Sequence, residues 1–225
     1  MTTNEAVEQE KTKVFLVDDH PIVRDGLKTL IERRENYVVC GEAENAKGAL
    51  KGVKESDPDV VITDITLKES DGLELTKDLK VRYPDLPVIV LSIHEESTYA
   101  ERALRAGAQG YLMKEVASEN VMDALNTVLQ GELYISNTMA KRFLNKMVGG
   151  KATEIQSPVE TLSDRELEIF KLIGQGFKAS QIAERLHLSV KTVETYRARI
   201  KEKLDLADAG ELLQFAIKWS SSNMG

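Results

Sequence analysis

The sequence predicts a chain of two domains: an α/β domain with a doubly wound, five-stranded parallel sheet, and a second, all-α domain of four helices. Through the first ~130 residues, short apolar runs alternate with segments of helical periodicity. This alternation is typical of a parallel sheet that helices cover on both faces. Beyond about residue 160 only helical periodicity is found, so we expect no sheet in the second domain.

The five predicted strands are apolar runs without strict alternation, as expected for strands that are buried on both faces. They are KVFLVD (13–18), YVVCGEA (37–43), DVVITD (59–64), PVIVLS (87–92) and QGYLM (109–113). The intervening helices are expected at 21–34, 45–56, 71–82, 95–106 and 117–130. Pro21 suits the first turn of its helix. The predicted buried face of that helix consists of Ile22, Val23, Leu27, Leu30 and Ile31.

Composition places the domain boundaries. Residues 1–12 are polar and are predicted to form a disordered leader, and the α/β domain is expected to span 13–131. Residues 132–160 are expected to contain a connecting helix at 136–148 and then a linker at 147–160, which mixes Gly, Ser, Thr, Lys and Pro.

The four-helix domain is expected to span 161–220. Its helices are predicted near 163–174, 178–186, 189–204 and 208–219. Residues that favour helix ends stand between them, namely Ser163, Gly176, Ser189 and Asp208.

Charge and cysteine content limit the possible classes of protein. The net charge is −7, but residues 1–138 hold 16 basic and 26 acidic residues, whereas residues 161–225 hold 10 and 9. This asymmetry predicts two modules with different partners. The single cysteine, Cys40, cannot form an intramolecular disulfide, which fits a reducing cytosol. Since no apolar run approaches ~20 residues, we expect a cytoplasmic protein with no membrane partner.

Polar residues gather where the predicted strands end. Asp18 and Asp19 end the first strand, Asp64 ends the third, Ser92 ends the fourth and Lys114 follows the fifth. In open parallel sheets, functional groups lie beyond the carboxyl ends of the strands. Three neighbouring carboxylates repel one another unless a cation neutralises them, and Mg²⁺ is a hard ion that prefers oxygen ligands near phosphate. Ser92 and Lys114 can contact phosphate oxygens.

On these motifs, residues 13–131 resemble the receiver domain of two-component response regulators, a flavodoxin-like fold. The matching stretches are LVDDHPIVRDGL (16–27), DVVITDITLKESDGLEL (59–75), VIVLSIHEE (88–96) and AGAQGYLMKE (106–115). The resemblance implies that Asp64 accepts a phosphoryl group from a sensor histidine kinase and that Ser92 and Lys114 contact that group.

The same resemblance implies a magnesium site and a switch. Asp19 and Asp64 would bind Mg²⁺ through their carboxylates, Thr66 through its backbone carbonyl and Asp18 through water. Ser92 would move to meet the phosphoryl group and Tyr111, the switch aromatic, would fill the vacated space. A core aromatic is an alternative interpretation of Tyr111. Thr66 and His94 stand at positions that tune dephosphorylation in the family.

Residues 162–204 resemble the LuxR-type helix-turn-helix of the NarL/FixJ subfamily. Ile182, Ala183 and Leu186 lie on its first helix, and His187, Leu188 and Ser189 form the turn. The recognition helix runs from about Val190 to Leu204. Its predicted inward face consists of Val193, Tyr196, Ile200 and Leu204.

The remaining surface of the recognition helix is predicted to contact double-stranded promoter DNA. The phosphate contacts are assigned to Lys191, Thr192, Arg197, Arg199 and Lys201, since basic groups and a helix N-terminus hold phosphates. The base contacts are assigned to Glu194, Thr195 and Ala198. Glu194 could accept from a cytosine amino group, and Ala198 could touch a thymine methyl.

Dimerisation is expected because the C-terminal domain carries little net positive charge, so that one copy gives modest affinity. We expect a homodimer when the chain is phosphorylated. Helix 208–219 is either a dimer surface or plain core, and the residues concerned are Leu212, Leu213, Phe215, Ala216 and Trp219.

The sequence therefore predicts a phosphorylation-controlled transcriptional regulator, not an enzyme, that acts with the transcription machinery. Three alternative functions stand beside this prediction. A phosphatase of the haloacid dehalogenase type would need a second carboxylate two residues after Asp64, where Thr66 stands. A regulator of the same fold could ignore phosphate, although the complete set of polar residues argues against it. On charge alone, the C-terminal domain could be a helical interaction module.

Overall fold

The computed structural model describes residues 10–68, 70–93, 96–148, 158–186 and 188–223. The chain divides into two compact units whose boundary lies between residues 150 and 151. Residues 1–9, most of the predicted leader, lie outside the described residues. The first strand already begins at Thr12, within the stretch predicted to be disordered. No helix among the described residues is long and apolar enough to cross a membrane.

The N-terminal unit contains the predicted five-stranded parallel sheet. Its strands are β1 (Thr12–Val17), β2 (Tyr37–Ala43), β3 (Val60–Asp64), β6 (Val88–Ser92) and β7 (Gly110–Met113). They lie in the order β2-β1-β3-β6-β7, and every neighbouring pair is parallel. A two-residue hairpin that the sequence did not predict, β4 (Thr66–Leu67) and β5 (Ser70–Asp71), follows β3.

Five helices alternate with the strands, as predicted. They are α1 (Pro21–Glu32), α2 (Ala46–Ser56), α3 (Gly72–Arg82), α4 (Glu96–Arg105) and α5 (Ala117–Leu129). Side chains fix two of the starts, because Asn45 accepts from the N–H of Gly48, and Asp71 from those of Leu73 and Glu74. A short 3₁₀ turn at Lys114–Val116 joins β7 to α5.

Apolar side chains cover both faces of the sheet, so that the sheet is the centre of a three-layer unit. One cluster joins α1 and α5 to the sheet, and the other joins α2 and α3 to the opposite face. Ile22 was predicted to lie on the buried face of α1, and this was wrong: it is 86% exposed. The reason is helical phase: Ile22 lies about 140° around the helix axis from Leu27, whereas Val23 in the same turn packs against the core.

Gly72 allows the start of α3 to pack against the backbone of the phosphoacceptor candidate. A Cβ at this position would lie 1.8 Å from the carbonyl oxygen of Asp64. The N–H of Gly72 donates to the carbonyl of Ile65 at 2.7 Å. The loop after β3 is therefore held against α3 by main-chain contact, which only the absence of a side chain permits.

We expect Gly72→Ala to destabilise the N-terminal unit by roughly 1–3 kcal/mol, because backbone must move to admit the methyl group. Gly26→Ala is the matched control, since a Cβ on Gly26 of α1 meets no atom within 4 Å. That change should stabilise the protein by up to about 1 kcal/mol through helix propensity. Urea unfolding followed by circular dichroism measures both, and equal effects of the two changes would contradict the packing argument.

Residues after α5 cover the outer edge of β7. Tyr134 pairs with Gly110 in parallel register; it accepts from the N–H of Tyr111 at 2.9 Å and donates to the carbonyl of Gln109 at 2.8 Å. Two residues later, the N–H of Ser136 donates to the Glu96 carboxylate of α4 at 2.8 Å. Helix α6 (Asn137–Val148), predicted as the connecting helix, then contacts α4. We call residues 134–136 the edge segment.

The C-terminal unit contains the four predicted helices, α7 (Asp164–Gly174), α8 (Ala179–Arg185), α9 (Val190–Lys203) and α10 (Ala209–Asn223). A 3₁₀ turn at Pro158–Thr161 precedes them, and Val159 within it is buried. Helical structure thus begins inside the stretch predicted as linker, the remainder of which lies mostly outside the described residues. His187, in the predicted turn, also lies outside them.

The predicted cap residues act at the ends of these helices. Ser163 and Glu166 form a reciprocal capping box at the start of α7. Ser189 caps α9 by accepting from the N–H of Thr192 at 3.0 Å, and Asp208 accepts from two N–H groups at the start of α10. Gly176 adopts a φ of +87° after α7, which favours glycine.

Buried Glu166 also joins α7 to α9. Nζ of Lys203 lies 2.6 Å from Oε2 of Glu166, although 37 positions separate the two residues in the chain. Burial would raise the pKa of the Glu166 carboxyl, but the hydrogen bonds from Lys203 and Ser163 outweigh it and hold that pKa below its ordinary value. The start of α7 and the end of α9 are therefore fixed to each other by charge.

Helix α10 is largely a core helix. Leu212 and Ala216 are fully buried, and the rings of Phe215 and Trp219 lie 5.9 and 5.7 Å from that of Phe170 in α7. These contacts favour the plain-core alternative for Leu212 and Ala216, while Phe215 and Trp219 are half-buried. Leu213 remains 41% exposed, and Ile217, one turn further on, is 46% exposed.

Candidate functional site

Carboxylates from two strand ends meet at one edge of the sheet. Asp18 and Asp19 follow β1, Asp64 ends β3, and these strands are neighbours in parallel register. One ligand atom from each of these residues, together with one from His20, lies within 4.8 Å of the others. Asp18 and Asp64 are buried. The predicted convergence of the three carboxylates is thus present in the fold.

Lys114 lies between two of these carboxylates. Its Nζ is 2.6 Å from Oδ2 of Asp18 and 2.7 Å from Oδ2 of Asp64. Burial alone would lower the pKa of Lys114, but the charges of Asp64 and Asp18 outweigh it and raise that pKa. The ammonium is therefore charged at neutral pH and stands where an oxygen attached to Asp64 would lie within its reach.

Asp64 has the properties of a carboxylate that is ionised but poorly solvated. Burial raises its pKa to about 6; the charge of Lys114 opposes this rise and the charge of Asp18 adds to it. The N–H of Thr66 donates to the carboxylate and lowers the pKa as well. At neutral pH most molecules hold Asp64 ionised, as a nucleophile must be.

Ser92 and Tyr111 are in contact beside the acidic cluster. Ser92 ends β6 and Tyr111 lies on β7; both side chains are buried. A hydrogen bond joins their side chains, and burial raises the pKa of the Tyr111 hydroxyl despite that bond. Tyr111 is thus a core aromatic and a neighbour of Ser92 at once, so the two interpretations drawn from the sequence do not exclude each other.

The donor set fits a hard divalent cation. Apart from the ring nitrogen of His20, it consists of carboxylate oxygens at close range, which is the ligand chemistry of Mg²⁺. Among the described residues, none donates a well-aligned hydrogen bond to the buried Oδ1 of Asp19, although Nδ1 of His20 lies 2.7 Å away. An acceptor in this state gains from a cation.

Two residues of this site could not be assigned from the sequence. His20 is 56% exposed, and its ring also lies 3.2 Å from the Asp18 carboxylate. Arg24 on α1 bonds the carbonyl of Asp18. The motif DDHPIVR contains both, so their nearness along the chain was the available signal. His94, a predicted tuning position, lies outside the described residues.

The recognition-helix candidate α9 has the predicted inward face. Val193 and Ile200 are fully buried and Leu204 nearly so, while Tyr196 is half-buried. The guanidinium of Arg199 lies 5.9 Å from the centre of the Tyr196 ring. On the first helix of the motif, Ile182 and Ala183 are buried as expected.

The opposite face of α9 presents the predicted DNA contacts together. Lys191, Glu194, Thr195, Ala198 and Arg199 are exposed, and Thr192, Arg197 and Lys201 are half-buried. Two side chains already have partners: Arg197 binds Glu194 at 2.9 Å, and Thr195 donates to the carbonyl of Lys191 at 3.0 Å. A base contact by Glu194 would therefore replace an ion pair on the same helix.

The N-terminal unit is a parallel α/β fold with an acidic cluster and a partly buried lysine at its strand ends, and the same chain carries a capped helix-turn-helix. Together these features define the class of signal-controlled DNA-binding proteins. Family models agree with both parts. The response regulator receiver domain matches residues 14–126, and the bacterial regulatory proteins of the luxR family match residues 160–216. The chain belongs to the NarL/FixJ-type response regulators.

Relatives and solved structures match over nearly the whole length. The response regulator UvrY of Escherichia coli K12 is 36% identical, over 93% of this chain and 95% of its own. RcsB of Salmonella enterica serovar Typhimurium, solved on a promoter with the phosphomimetic BeF₃⁻, is 27% identical with a TM-score of 0.58, covering 92% and 98%. A structure of two RcsB dimers on two parallel DNAs is 26% identical with a TM-score of 0.55, covering 96% and 100%.

Proposed function

We propose that this chain is a transcriptional regulator in which phosphorylation of Asp64 by a sensor histidine kinase controls promoter binding by α9. The observation that carries the proposal is the buried Asp18–Lys114–Asp64 contact at the strand ends, with 2.6 and 2.7 Å between charged atoms. The same chain holds a capped recognition helix. One part can receive a phosphoryl group, and the other can read DNA.

The chemistry at Asp64 is an in-line transfer. A carboxylate oxygen of Asp64 attacks phosphorus, the bond from phosphorus to the donor nitrogen breaks, and the electron pair leaves with the donor imidazole. Lys114 is placed to hold an oxygen of the phosphoryl group, and Ser92 to donate to another. When bound, Mg²⁺ offsets the negative charge of the carboxylates and the phosphoryl oxygens; Asp18, Asp19, Asp64 and the carbonyl of Thr66 are the proposed ligands or water partners.

In this proposal, Ser92 and Tyr111 respond to phosphorylation of Asp64. A phosphoryl group on Asp64 carries about −1.5 to −2 of charge and draws the hydroxyl of Ser92. The bond between Ser92 and Tyr111 then competes with the bond between Ser92 and phosphate. This makes the Ser92–Tyr111 pair a two-state element biased by one charge.

DNA binding rests on the exposed face of α9. We propose that Lys191, Thr192, Arg197, Arg199 and Lys201 hold phosphates, and that Glu194, Thr195 and Ala198 face bases. The RcsB structures on a promoter and as dimers on DNA support DNA binding as a dimer. We therefore expect two half-sites, and we propose the exposed Leu213 and Ile217 of α10 as one contact surface between the copies. The transcription machinery is the expected further partner, and the single Cys40 fits a cytoplasmic setting.

Phosphorylation is tested with the full chain, Mg²⁺ and acetyl phosphate. We expect acid-labile phosphate on the wild type, none on Asp64→Asn and the wild-type amount on Asp59→Asn, which alters an exposed carboxylate just before the same strand. Continuous release of phosphate from varied phosphoesters would instead indicate a phosphatase. If the wild type gains no phosphate, the proposal is refuted.

DNA binding is tested by selection from random DNA duplexes. We expect the selected sequences to contain a paired half-site and to bind more tightly after phosphorylation.

A further inference from the structure

Arg24 of α1 contacts the loop that carries the acidic pair. Its Nη1 donates to the backbone carbonyl of Asp18, and its side chain is only 17% exposed. The N–H of Asp18 donates to the carbonyl of Ala43 at the end of β2. The peptide groups on both sides of Asp18 are thus fixed, one by β2 and the other by Arg24.

The contact acts on Asp19 because a peptide unit is planar. The carbonyl of Asp18 and the N–H of Asp19 belong to the same rigid plane. A hydrogen bond that fixes the carbonyl therefore also fixes the orientation of the Asp19 N–H and the position of its Cα. On the other side of Asp19, the N–H of His20 donates to Oδ1 of Asp18 at 2.8 Å. These bonds together set the spacing of the Asp18 and Asp19 carboxylates.

The guanidinium is held from its other side. Nε of Arg24 lies 3.2 Å from Oε2 of Glu42 on β2, and Nζ of Lys28, one turn along α1, lies 3.4 Å from Oε1 of the same carboxylate. The strand that carries Glu42 pairs directly with β1. Arg24 therefore bonds two acceptors from two different segments at once, which its planar fork permits and a lysine ammonium does not reproduce.

We propose that Arg24 is a positioning residue for the divalent-cation site: it orients the Asp18–Asp19 peptide through its bond to the Asp18 carbonyl, with Glu42 as its anchor. The inference rests on the proposed function, since it concerns the cation site that Asp64 uses. Neighbours that orient metal ligands typically account for 10–100-fold in metal affinity, so we expect the Kd for Mg²⁺ to rise about tenfold in Arg24→Met.

Charge alone predicts the opposite sign. Removing a cation close to three carboxylates strengthens the attraction for Mg²⁺, so a purely electrostatic role of Arg24 would lower the Kd in Arg24→Met and leave it unchanged in Arg24→Lys. A positioning role raises the Kd in both, since lysine keeps the charge but loses the fork. The direction of the change therefore separates the two explanations.

The experiment measures Mg²⁺ binding to the full chain by isothermal titration calorimetry at neutral pH, together with the Tm in metal-free buffer. The variants are Arg24→Met, Arg24→Lys and Glu42→Gln, with Lys28→Met as the matched control, because Lys28 contacts Glu42 but not Asp18. We expect weaker binding in the first three, most in Arg24→Met, and wild-type binding in the control.

The outcomes are distinguishable. A lower metal-free Tm with an unchanged Kd would mean that Arg24 only stabilises the fold, and would overturn the inference, as would equal losses in Arg24→Met and Lys28→Met. No Mg²⁺ binding by the wild type would refute the cation site of the proposed function itself, and the role of Arg24 with it. Wild-type binding that is weakened only by Arg24 and Glu42 substitutions supports both.

Discussion

Lys114→Met should slow phosphorylation of Asp64 by roughly 10²–10³, the usual effect of removing one group that stabilises a developing charge. Lys114 is the cation between Asp18 and Asp64. Without it two buried carboxylates face each other, and the pKa of Asp64 rises further above its present value of about 6. A larger share of Asp64 is then protonated at neutral pH and cannot attack phosphorus. The initial rate with acetyl phosphate measures the effect.

The same change should alter how stability depends on pH. Folding raises the pKa of the Asp64 carboxyl from 3.8 to about 6. As the pH rises, Asp64 therefore loses its proton at a lower pH in the unfolded chain than in the folded chain. Metal-free wild type therefore loses stability between about pH 4 and pH 6, by about 3 kcal/mol from this group. In Lys114→Met the loss should extend to higher pH, and added Mg²⁺ should reverse part of it.

A double-mutant cycle with Asp64→Asn gives the control. In the Asp64→Asn background, Lys114→Met should cost less stability at pH 7, because one of the two repelling carboxylates is gone. Lys51→Met changes an exposed lysine paired with Glu55 and should leave both the rate and the pH profile unchanged. A cost that is equal in both backgrounds would show that Lys114 contributes packing and not charge.

The second large effect is expected at the recognition helix. Arg199→Ala should weaken binding to a selected promoter site and to unrelated DNA alike, and should reduce the slope of log K against log salt by about one, as the loss of one phosphate contact does. Arg199 is exposed on α9. Fluorescence anisotropy over a range of salt concentrations measures both quantities.

Glu194→Gln is the informative comparison. If Glu194 accepts from a cytosine amino group, this change should cost roughly 1–3 kcal/mol on the selected site and relax the preference at one base pair, with little effect on unrelated DNA. Lys51→Ala, in the N-terminal unit, should change neither. A loss of affinity in Glu194→Gln that is equal for all sequences would contradict a base contact. It would instead indicate an effect of Arg197, which loses its ion-pair partner in this variant.

The sequence was sufficient to predict structural features that depend on a periodic apolar pattern or on a cap residue at a fixed position relative to a helix. Apolar runs located the five strands of the sheet within one residue at each end, because strands buried on both faces have no polar positions to interrupt them. Ser163 predicted the start of α7, and the structure adds Glu166 as its partner in a capping box. The hairpin β4–β5 was missed, because two residues are too few to show a period.

Contacts between side chains that are distant in sequence could not be predicted in the same way. The bond from Lys203 to Glu166 spans 37 positions, and no local pattern connects the two residues. The outward position of Ile22, by contrast, agrees with strict helical spacing, which puts it about 140° around α1 from Leu27; the buried face was predicted too wide. At the acidic cluster, strand-end placement predicted which carboxylates converge, while the roles of His20 and Arg24 in that loop depend on side-chain direction.

The edge segment has a consequence for how receiver fragments of this protein behave. The N–H of Tyr111 donates to the carbonyl of Tyr134, so the main-chain partner of Tyr111 lies in the chain beyond α5. A fragment cut after residue 131 would keep every residue proposed for phosphorylation and yet leave the edge of β7 open to pairing with another chain. Concentration-dependent self-association of such a fragment would then result from the exposed edge of β7 and not from phosphorylation. Only fragments that retain the edge segment can be used to measure dimerisation caused by phosphorylation.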